Sequence, residues 1–404
     1  MTRLSLPERP PPLWPKFSSP IRSTALTARV GRVLGIFFGI CFVTGMLSHY
    51  QYEPWLWLPE PASPAWAYRL TQGTHVITGI AIIPLLLIKL WSVYPKLFSW
   101  PPVKSAKNGL ERASIALLVS SALVEVTTGF FNTLNWYPWS WSFVPVHRFL
   151  GYVVIGSILL HIAVKLPDIK YGLKTKLPQG DVLTEIGWED NPDAYSNNDS
   201  THIAPPTPEG VSRRGVMIAG GVGIGAIIVT TAGQTVTPLA DVGLFSIRRA
   251  KDASQLGVPV NRTAAQAKVL YLNRSADWRL TVVGKTTRTM DLSELLIMGD
   301  AEADFPISCV EGWSVGAHWQ GVKLLDLIAM VGGNEDSRVK VSSIEPKGSF
   351  NYSFVDGPQV AVALLATHLN GQQLTDDHGY PLRLIAPGRA GVLNTKWLNK
   401  VEVL

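Results

Sequence analysis

The chain has 404 residues, 47% hydrophobic and 16% charged, against about 25% charged in ordinary soluble domains. That balance excludes a wholly water-exposed chain, and only two cysteines exclude a disulfide scaffold, a four-cysteine zinc site and an all-cysteine iron–sulfur cluster. The net charge of +6 divides into +11 over residues 1–176, −5 over 177–240 and zero over 241–404. The positive charge therefore belongs to the apolar half, where it reads as membrane topology and not as nucleic-acid binding.

Residues 1–29, with Pro10-Pro11-Pro12 and scattered basic side chains, read as a disordered cytoplasmic tail, not a cleavable signal peptide. Uncharged apolar stretches follow at 33–48, 70–88, 113–136 (interrupted by Glu125) and 149–164. With their flanks, each approaches the ~20 residues that cross a ~30 Å hydrocarbon core. Residues 30–170 are thus expected to form a four-helix membrane domain in a lipid bilayer. The basic residues Arg3, Arg9, Lys16, Arg22 and Arg29, then Lys89, Lys96, Lys104, Lys107 and Arg112, then Lys165, Lys170, Lys174 and Lys176 alternate with loops that lack them. The positive-inside rule then puts the N-terminus in the cytoplasm of a plasma-membrane protein. Trp55, Trp57, Trp136, Trp139 and Trp141 would form an outer aromatic belt.

Residues 171–212 read as a cytoplasmic linker, acidic and rich in Pro, Asn and Ser. A fifth apolar stretch, 215–240, completes an anchor segment over 213–240 and carries residues 241–404 to the outside. It is preceded by Ser212-Arg213-Arg214-Gly215-Val216-Met217, which reads either as a positive stop or as an internal signal for the twin-arginine export machinery. Residues 241–404 alternate β-rich runs with turns and are expected to form a compact α+β domain. Trp278–Gly284, 382–386 and 401–404 read as strands, and 322–331 reads as a helix closed by Gly332-Gly333.

Four of the eight histidines, His49, His75, His147 and His161, lie in or beside the first four spans. Ionisable residues inside a membrane are functional candidates by default. His147 and His161 are 14 residues apart, so one helix would present both on one face about 21 Å apart. That suits one iron ligand for each of two stacked haems. His49 with His147 and His75 with His161 is one pairing; a single haem on His75 and His147 is its rival. Glu125, in mid-span, reads as a proton relay or as a carboxyl paired within the bundle. Arg69 and Arg148 read as propionate partners or as interface markers. Cys41, inside the first span, reads as a small buried hydrophobe.

Gln72-Gly73-Thr74-His75-Val76, Pro84-Leu85-Leu86-Leu87-Ile88-Lys89-Leu90-Trp91, and His147 with His161 ahead of Lys165-Leu166-Pro167 resemble the four-helix bacterial di-haem cytochrome b family. That resemblance implies haem b and exchange of electrons between quinone or quinol and a partner. Separately, Cys309-Val310-Glu311-Gly312-Trp313-Ser314 resembles the Cys-x-Glu-Gly-Trp-Ser stretch of the sulfite-oxidase-type molybdopterin domain. Trp319-Gln320-Gly321-Val322-Lys323-Leu324-Leu325-Asp326 resembles the helix start after that cysteine. Leu369-Asn370-Gly371-Gln372-Gln373-Leu374, His378-Gly379-Tyr380-Pro381-Leu382-Arg383, and Ala386-Pro387-Gly388-Arg389-Ala390-Gly391 through Asn394-Thr395-Lys396-Trp397-Leu398 resemble its pterin- and phosphate-holding segments, in order. Val260-Asn261-Arg262-Thr263 is similar to the first of them.

The resemblance implies that Cys309 is the molybdenum ligand and the catalytic thiolate, since soft sulfur suits the metal. It implies cofactor contacts by Asn261, Arg262, His378, Arg383, Asn394, Thr395 and Lys396, with Arg383 and Lys396 able to neutralise a phosphate. His318 and His368 read as structural or surface residues. Together these features describe a membrane-bound molybdopterin oxidoreductase acting on a small substrate, a sulfoxide or other S- or N-oxide, and coupled to quinone through haem. Its alternatives are a sulfite-type dehydrogenase running oxidatively and a non-catalytic electron conduit. The chain stops at Leu404, where sulfite oxidases continue with a substrate-site tyrosine and a dimerisation domain, and this favours the reductive direction.

Overall fold

The computed structural model describes residues 23–55, 57–175, 213–244, 246 and 256–404. Five helices come first: α1 (Thr24–Tyr52), α2 (Ala67–Val93), α3 (Ala106–Thr133), α4 (Phe143–Lys174) and α5 (Arg213–Ala232). The first four are long and apolar enough to cross a membrane. Their exposed faces are apolar too, with Ile36, Leu110, Phe149 and Leu159 each more than half exposed.

The expected tail is shorter than 1–29, because α1 already includes residues 24–29. Ser23 caps it: its Oγ accepts the Leu26 N–H at 3.2 Å, and its carbonyl accepts the Thr27 N–H. Residues 171–174, read as linker, are the last turn of α4, which runs through Pro167 without ending. His147 and His161 do lie on one helix, α4.

The stretch 215–240 is not helical throughout: α5, Arg213–Ala232, has 20 residues, about 30 Å at 1.5 Å per residue. The helix stops at Ala232 because Gly233 packs its Cα against the backbone of Leu239 and Gly243, leaving no room for a side chain. A short 3-10 turn, Thr237–Val242, follows. Arg213 and Arg214 open α5, while Ser212 lies outside the described residues.

The chain forms two compact units. The first holds residues up to 42, 78–132 and 136–228. Its core joins Leu34 and Phe38 of α1, Ile82, Leu85 and Leu86 of α2, Ala122 of α3 and Val154 of α4, with Cys41 partly buried against them. Apolar contact at helical spacing accounts for that packing. In the loop after α3, Trp139 stacks on Trp141 at 4.4 Å and on Phe131 at 5.9 Å.

The second unit holds 43–77, 133–135 and 229–404. Its strands are β1 (Leu280–Val283), β2 (Thr287–Met290), β3 (Ala301–Ser308), β4 (Ser314–Lys323), β5 (Val339–Ser343), β6 (Tyr352–Val355), β7 (Leu364–Leu369), β8 (Gln372–Gln373), β9 (Arg383–Ile385) and β10 (Leu398–Val403), with helices α6 (Leu292–Met298) and α7 (Leu324–Ala329). One sheet runs β2-β1-β10-β5-β6, and the other runs β3-β4-β7-β8 with β9 also on β7. Only β1 and β10 pair in parallel; the other named pairs are antiparallel.

The helix expected over 322–331 begins two residues later. Val322 and Lys323 belong to β4, paired with Leu365 and Leu364 of β7, so Trp319–Lys323 is strand and not a helix start. Leu324, Leu327 and Ile328 of α7 then bury in the core of the first sheet with Leu280, Val282 and Val401. The second sheet buries Ile307, Cys309, Trp313, Ala317 and Trp319.

The loop between α1 and α2 lies against residues 387–389 within this unit. The Gly388 N–H donates to the Ala65 carbonyl at 3.1 Å, and Gln51 Nε2 donates to the Gly388 carbonyl at 3.1 Å. Glu60 is buried there, at 3% exposure. Burial pushes its pKa up to about 8, and Asp356 adds to this, against the opposing pull of Arg389 and Gln359. A carboxyl raised from the ordinary 4.5 binds more protons folded than unfolded between those values. Its contribution to stability is full below about pH 4.5 and is lost as pH rises through about 8. Glu60→Gln is therefore expected to flatten the decline in unfolding temperature between pH 5 and pH 8. The gain at pH 8 should be on the order of a few kcal/mol. Parallel thermal scans of both proteins at these pH values would expose a wrong sign.

Candidate functional site

Cys309 sits at the tip of the β3–β4 hairpin. Ser308 pairs with Ser314, which leaves a five-residue connection, 309–313. The Cys309 N–H donates to the Trp313 carbonyl at 2.9 Å, and the Gly312 N–H donates to the Cys309 carbonyl at 3.0 Å. Gly312 has φ +98°, the left-handed region that L side chains avoid, so the turn needs glycine there. The indole N–H of Trp313 donates to the Glu311 carboxylate at 3.2 Å, and both side chains are buried. The Cys-x-Glu-Gly-Trp pattern is thus a closed hairpin connection that fixes one thiol. Cys309 is 3% exposed.

Asn261 reaches that thiol from 48 residues away, its Nδ2 donating to Cys309 Sγ at 2.8 Å. An amide donor on sulfur favours the thiolate over the thiol. The neighbouring Arg262 pairs with Glu345, and its carbonyl accepts Lys396 Nζ at 2.6 Å. Lys396 Nζ also donates to the Asp377 carbonyl at 2.8 Å. Asn261 and Arg262 therefore join the cysteine to a second group of residues.

That group is cationic. Arg383 is 4% exposed, donates Nη1 to the His378 carbonyl at 2.9 Å, and leaves Nε unpartnered. Its guanidinium lies over the Trp319 ring at 5.1 Å. Burial pushes its pKa down to about 9, so it stays charged at neutral pH. Burial, then the charge of Arg383, pushes Lys396 down to about 7. Gly379, at φ +109°, is where the two come together: a Cβ there would lie 3.1 Å from the Cβ atoms of both Arg383 and Lys396. Two crowded cations, one with an orphaned buried N–H, are what an oligoanion such as a phosphate would neutralise.

The other expected contacts face inward. His378 is buried, with Nε2 3.0 Å from the Val258 carbonyl and Nδ1 2.7 Å from Thr375 Oγ1. A carbonyl only accepts, so Nε2 carries the proton and Nδ1 accepts from the threonine. Burial keeps this ring neutral by lowering its pKa. Asn394 Oδ1 accepts the Ala386 N–H at 2.9 Å, and Thr395 Oγ1 meets Ser353 Oγ at 2.8 Å. These three side chains brace the loops that carry Arg383 and Lys396. Glu345 and Asp377 leave no local trace in the sequence, whereas Gly379 lies within the His378–Arg383 segment. His318 lies at the surface, its Nδ1 2.8 Å from Asp304, and His368 Nδ1 meets Thr367 Oγ1 at 2.9 Å. Two open cavities of this unit, about 450 and 310 Å³, are not lined by Cys309. The chemistry of the thiolate and cations, and not cavity size, marks the site.

The helix-borne histidines fall in both units. In the second, the His75 ring lies against Gly45, where a Cβ would come within 2.8 Å of it, and His49 Nε2 is 3.6 Å from Glu53. In the first, His147 Nε2 is 3.3 Å from Glu125 Oε1 and its ring stacks on Phe143 at 4.8 Å. Glu125 thus has a histidine partner within the bundle. His161 lies a little past the middle of α4 and is partly buried. Arg69 donates Nε to the Thr235 carbonyl at 2.7 Å. Among the described residues, no three His, Cys, Asp or Glu side chains cluster as a metal site.

A family model, the oxidoreductase molybdopterin binding domain, matches residues 267–404. The uncharacterized oxidoreductase YuiH of Bacillus subtilis is 31% identical over 137 residues, covering 33% of this chain and 69% of that protein. Sulfite oxidase of Arabidopsis thaliana is 34% identical over 114 residues, covering 23% of this chain. The protein-methionine-sulfoxide reductase catalytic subunit MsrP of Campylobacter jejuni is 26% identical over 144 residues, covering 31% of this chain. The chain spans 29% of the length of the Arabidopsis protein and 48% of MsrP. The shared segment contains Cys309, Arg383 and Lys396. The chain belongs to the sulfite-oxidase-type molybdopterin oxidoreductase family.

Proposed function

We propose that the protein is a membrane-bound molybdopterin-dependent oxidoreductase that exchanges electrons between a small S- or N-oxide and the quinone pool. The observation that carries this is the Asn261 amide on Cys309 Sγ, joined through Arg262 to the buried cations Lys396 and Arg383. Cys309 would supply one sulfur to molybdenum, and Arg383 and Lys396 would hold the phosphate of the pterin. When bound, the cofactor supplies two-electron chemistry with transfer of an oxygen atom. Asn261 holds the sulfur oriented. The hairpin excludes water from it, as the burial of Trp313 and Ile307 implies.

Haem b is the proposed carrier between this site and quinone, with His49, His75, His147 and His161 as candidate iron ligands. His147 would take iron at the nitrogen that now contacts Glu125. The four long apolar helices support insertion in the plasma membrane, and the loop charges support a cytoplasmic N-terminus. Arg213-Arg214 at the start of α5 supports export of residues 241–404 by the twin-arginine machinery.

The test is metal analysis with dithionite-reduced spectra of the purified full chain. One molybdenum per chain and a reducible α-band are expected. Cys309→Ser should retain the haem bands and lose turnover by at least about 10³-fold, the scale set by removing a group that acts on the reacting centre. Retained molybdenum and turnover in that variant would sink the catalytic reading, and a spectrum without haem bands would sink the electron route.

A further inference from the structure

The hairpin tip that carries Cys309 is gripped by residues that lie outside the matched segment 267–404. Gln72, on α2, donates Nε2 to the Val310 carbonyl at 2.5 Å. Thr235 Oγ1 donates to the Gly312 carbonyl at 2.5 Å. The Ser314 N–H donates to the Gln234 carbonyl at 2.9 Å. Val76, one turn beyond Gln72, crowds Gly312, where a Cβ would lie 2.8 Å from Val76 Cγ2. Every residue named belongs to the second unit.

Of these contacts, the one from Gln72 is fixed from both ends. Its amide has one acceptor and one donor end, and a carbonyl can only accept, so Nε2 must face Val310. The opposite end, Oε1, accepts from Ser48 Oγ of α1 at 2.5 Å. Both side chains are buried, at 7% and 6% exposure. A buried amide with one end free can turn over; an amide held at both ends cannot. The Val310 carbonyl belongs to the Val310–Glu311 peptide, so the Gln72 contact holds the middle of the five-residue connection whose first residue carries Sγ.

We infer that Gln72, oriented by Ser48, is a positioning residue for the Cys309 thiolate. This rests on the proposed role of Cys309 as molybdenum ligand. It makes the ends of α1 and α2 part of the molybdenum site, although they lie outside the family domain. The direction of a thiolate lone pair toward the metal sets how much charge the sulfur donates, and so sets the electronic signature of the centre.

The test uses the full-chain holoenzyme in detergent, with Gln72→Met and Ser48→Ala. Molybdenum content, the Mo(V) EPR spectrum and the molybdenum midpoint potential are read for each. Gln72→Met keeps the length of the side chain and removes both hydrogen bonds. The expected result is molybdenum content equal to wild type with shifted EPR g-values and a shifted potential. Ser48→Ala should move both in the same sense by less. Where Gln72→Met loses its metal, Ser48→Ala decides on the same readouts. Wild-type spectra and potential in a variant that retains molybdenum overturn the inference alone. A wild-type chain without molybdenum overturns both this inference and the function proposed above.

Discussion

Lys396→Met is expected to weaken retention of a phosphate-bearing cofactor by roughly 10- to 100-fold, the range for losing one charge-assisted hydrogen bond of about 1.5–3 kcal/mol. The reason lies in what surrounds Lys396. Its ammonium meets two carbonyls, of Arg262 and Asp377, and faces the charge of Arg383. Burial and that charge depress its pKa to about 7, so the cofactor-free protein gives up this proton near neutrality. An anion placed beside it restores the charge. Cofactor affinity should therefore fall as pH rises above about 7, by at most about tenfold per unit. The stability of the cofactor-free fold should run the other way. A lysine with a depressed pKa binds fewer protons folded than unfolded between about 7 and 10.5, so its contribution grows across that window and is lost as pH falls toward 7. Lys396→Arg keeps the charge at position 396, and its affinity profile should be flat from pH 7 to pH 8, below the range where Arg383 loses its own proton. Molybdenum retained after dialysis at pH 6, 7, 8 and 9 measures this. A flat wild-type profile, or equal retention by Lys396→Met, would remove the phosphate role of Lys396.

The parts of the molecule that were readable in its sequence are those where one local signal decides. Charge-poor apolar runs that approach ~20 residues with their flanks become long helices because few other structures satisfy so many apolar residues in a row. The 14-residue spacing of His147 and His161 needed only one unbroken helix, and α4 supplies it. Cys309 was readable because its turn chemistry is contiguous, with Gly312 at the one position that demands glycine. Reading failed where distant chain segments decide. Val322 and Lys323 look helical beside Leu324-Leu325, yet β7 claims them as strand, and Gly321 permits this by letting its backbone approach the Leu365 carbonyl. The end of α5 was misplaced because the turn at Gly233 is set by Leu239 and Gly243, not by hydropathy. The partners Glu345 and Thr235 are polar residues without a motif, and Gln72 stands in a stretch that reads toward haem and not toward Cys309. Their roles exist only once the fold brings them to Arg262, Val310 and Gly312.

Trp319→Ala is expected to destabilise the second unit by about 3–5 kcal/mol, the range for removing a large aromatic from a packed core. Trp319 is fully buried, at 0% exposure, among Ile307, Ala317 and Leu369. It sits in the middle strand of three, opposite Ala303 of β3 and Leu369 of β7, so neither neighbouring strand can close the cavity without giving up ladder pairing. Its indole N–H also donates to the Phe305 carbonyl at 3.0 Å, which the truncation leaves unpartnered at a further loss of about 1 kcal/mol. The unfolding temperature should drop by about 10 °C or more on the scale for domains of this size. Trp319→Phe separates stability from the site. It restores most of the ring volume and a face for Arg383, whose guanidinium now lies 5.1 Å above the indole. The phenylalanine variant should recover more than half of the lost stability and retain its cofactor. The alanine variant should lose cofactor even below its unfolding temperature, because Arg383 loses the surface that aims it beside Lys396. Equal unfolding temperatures for wild type and Trp319→Ala would mean that the β3–β4–β7 sheet is not the core that holds the site, whereas unchanged cofactor retention in folded Trp319→Ala would detach Arg383 from the role given to it.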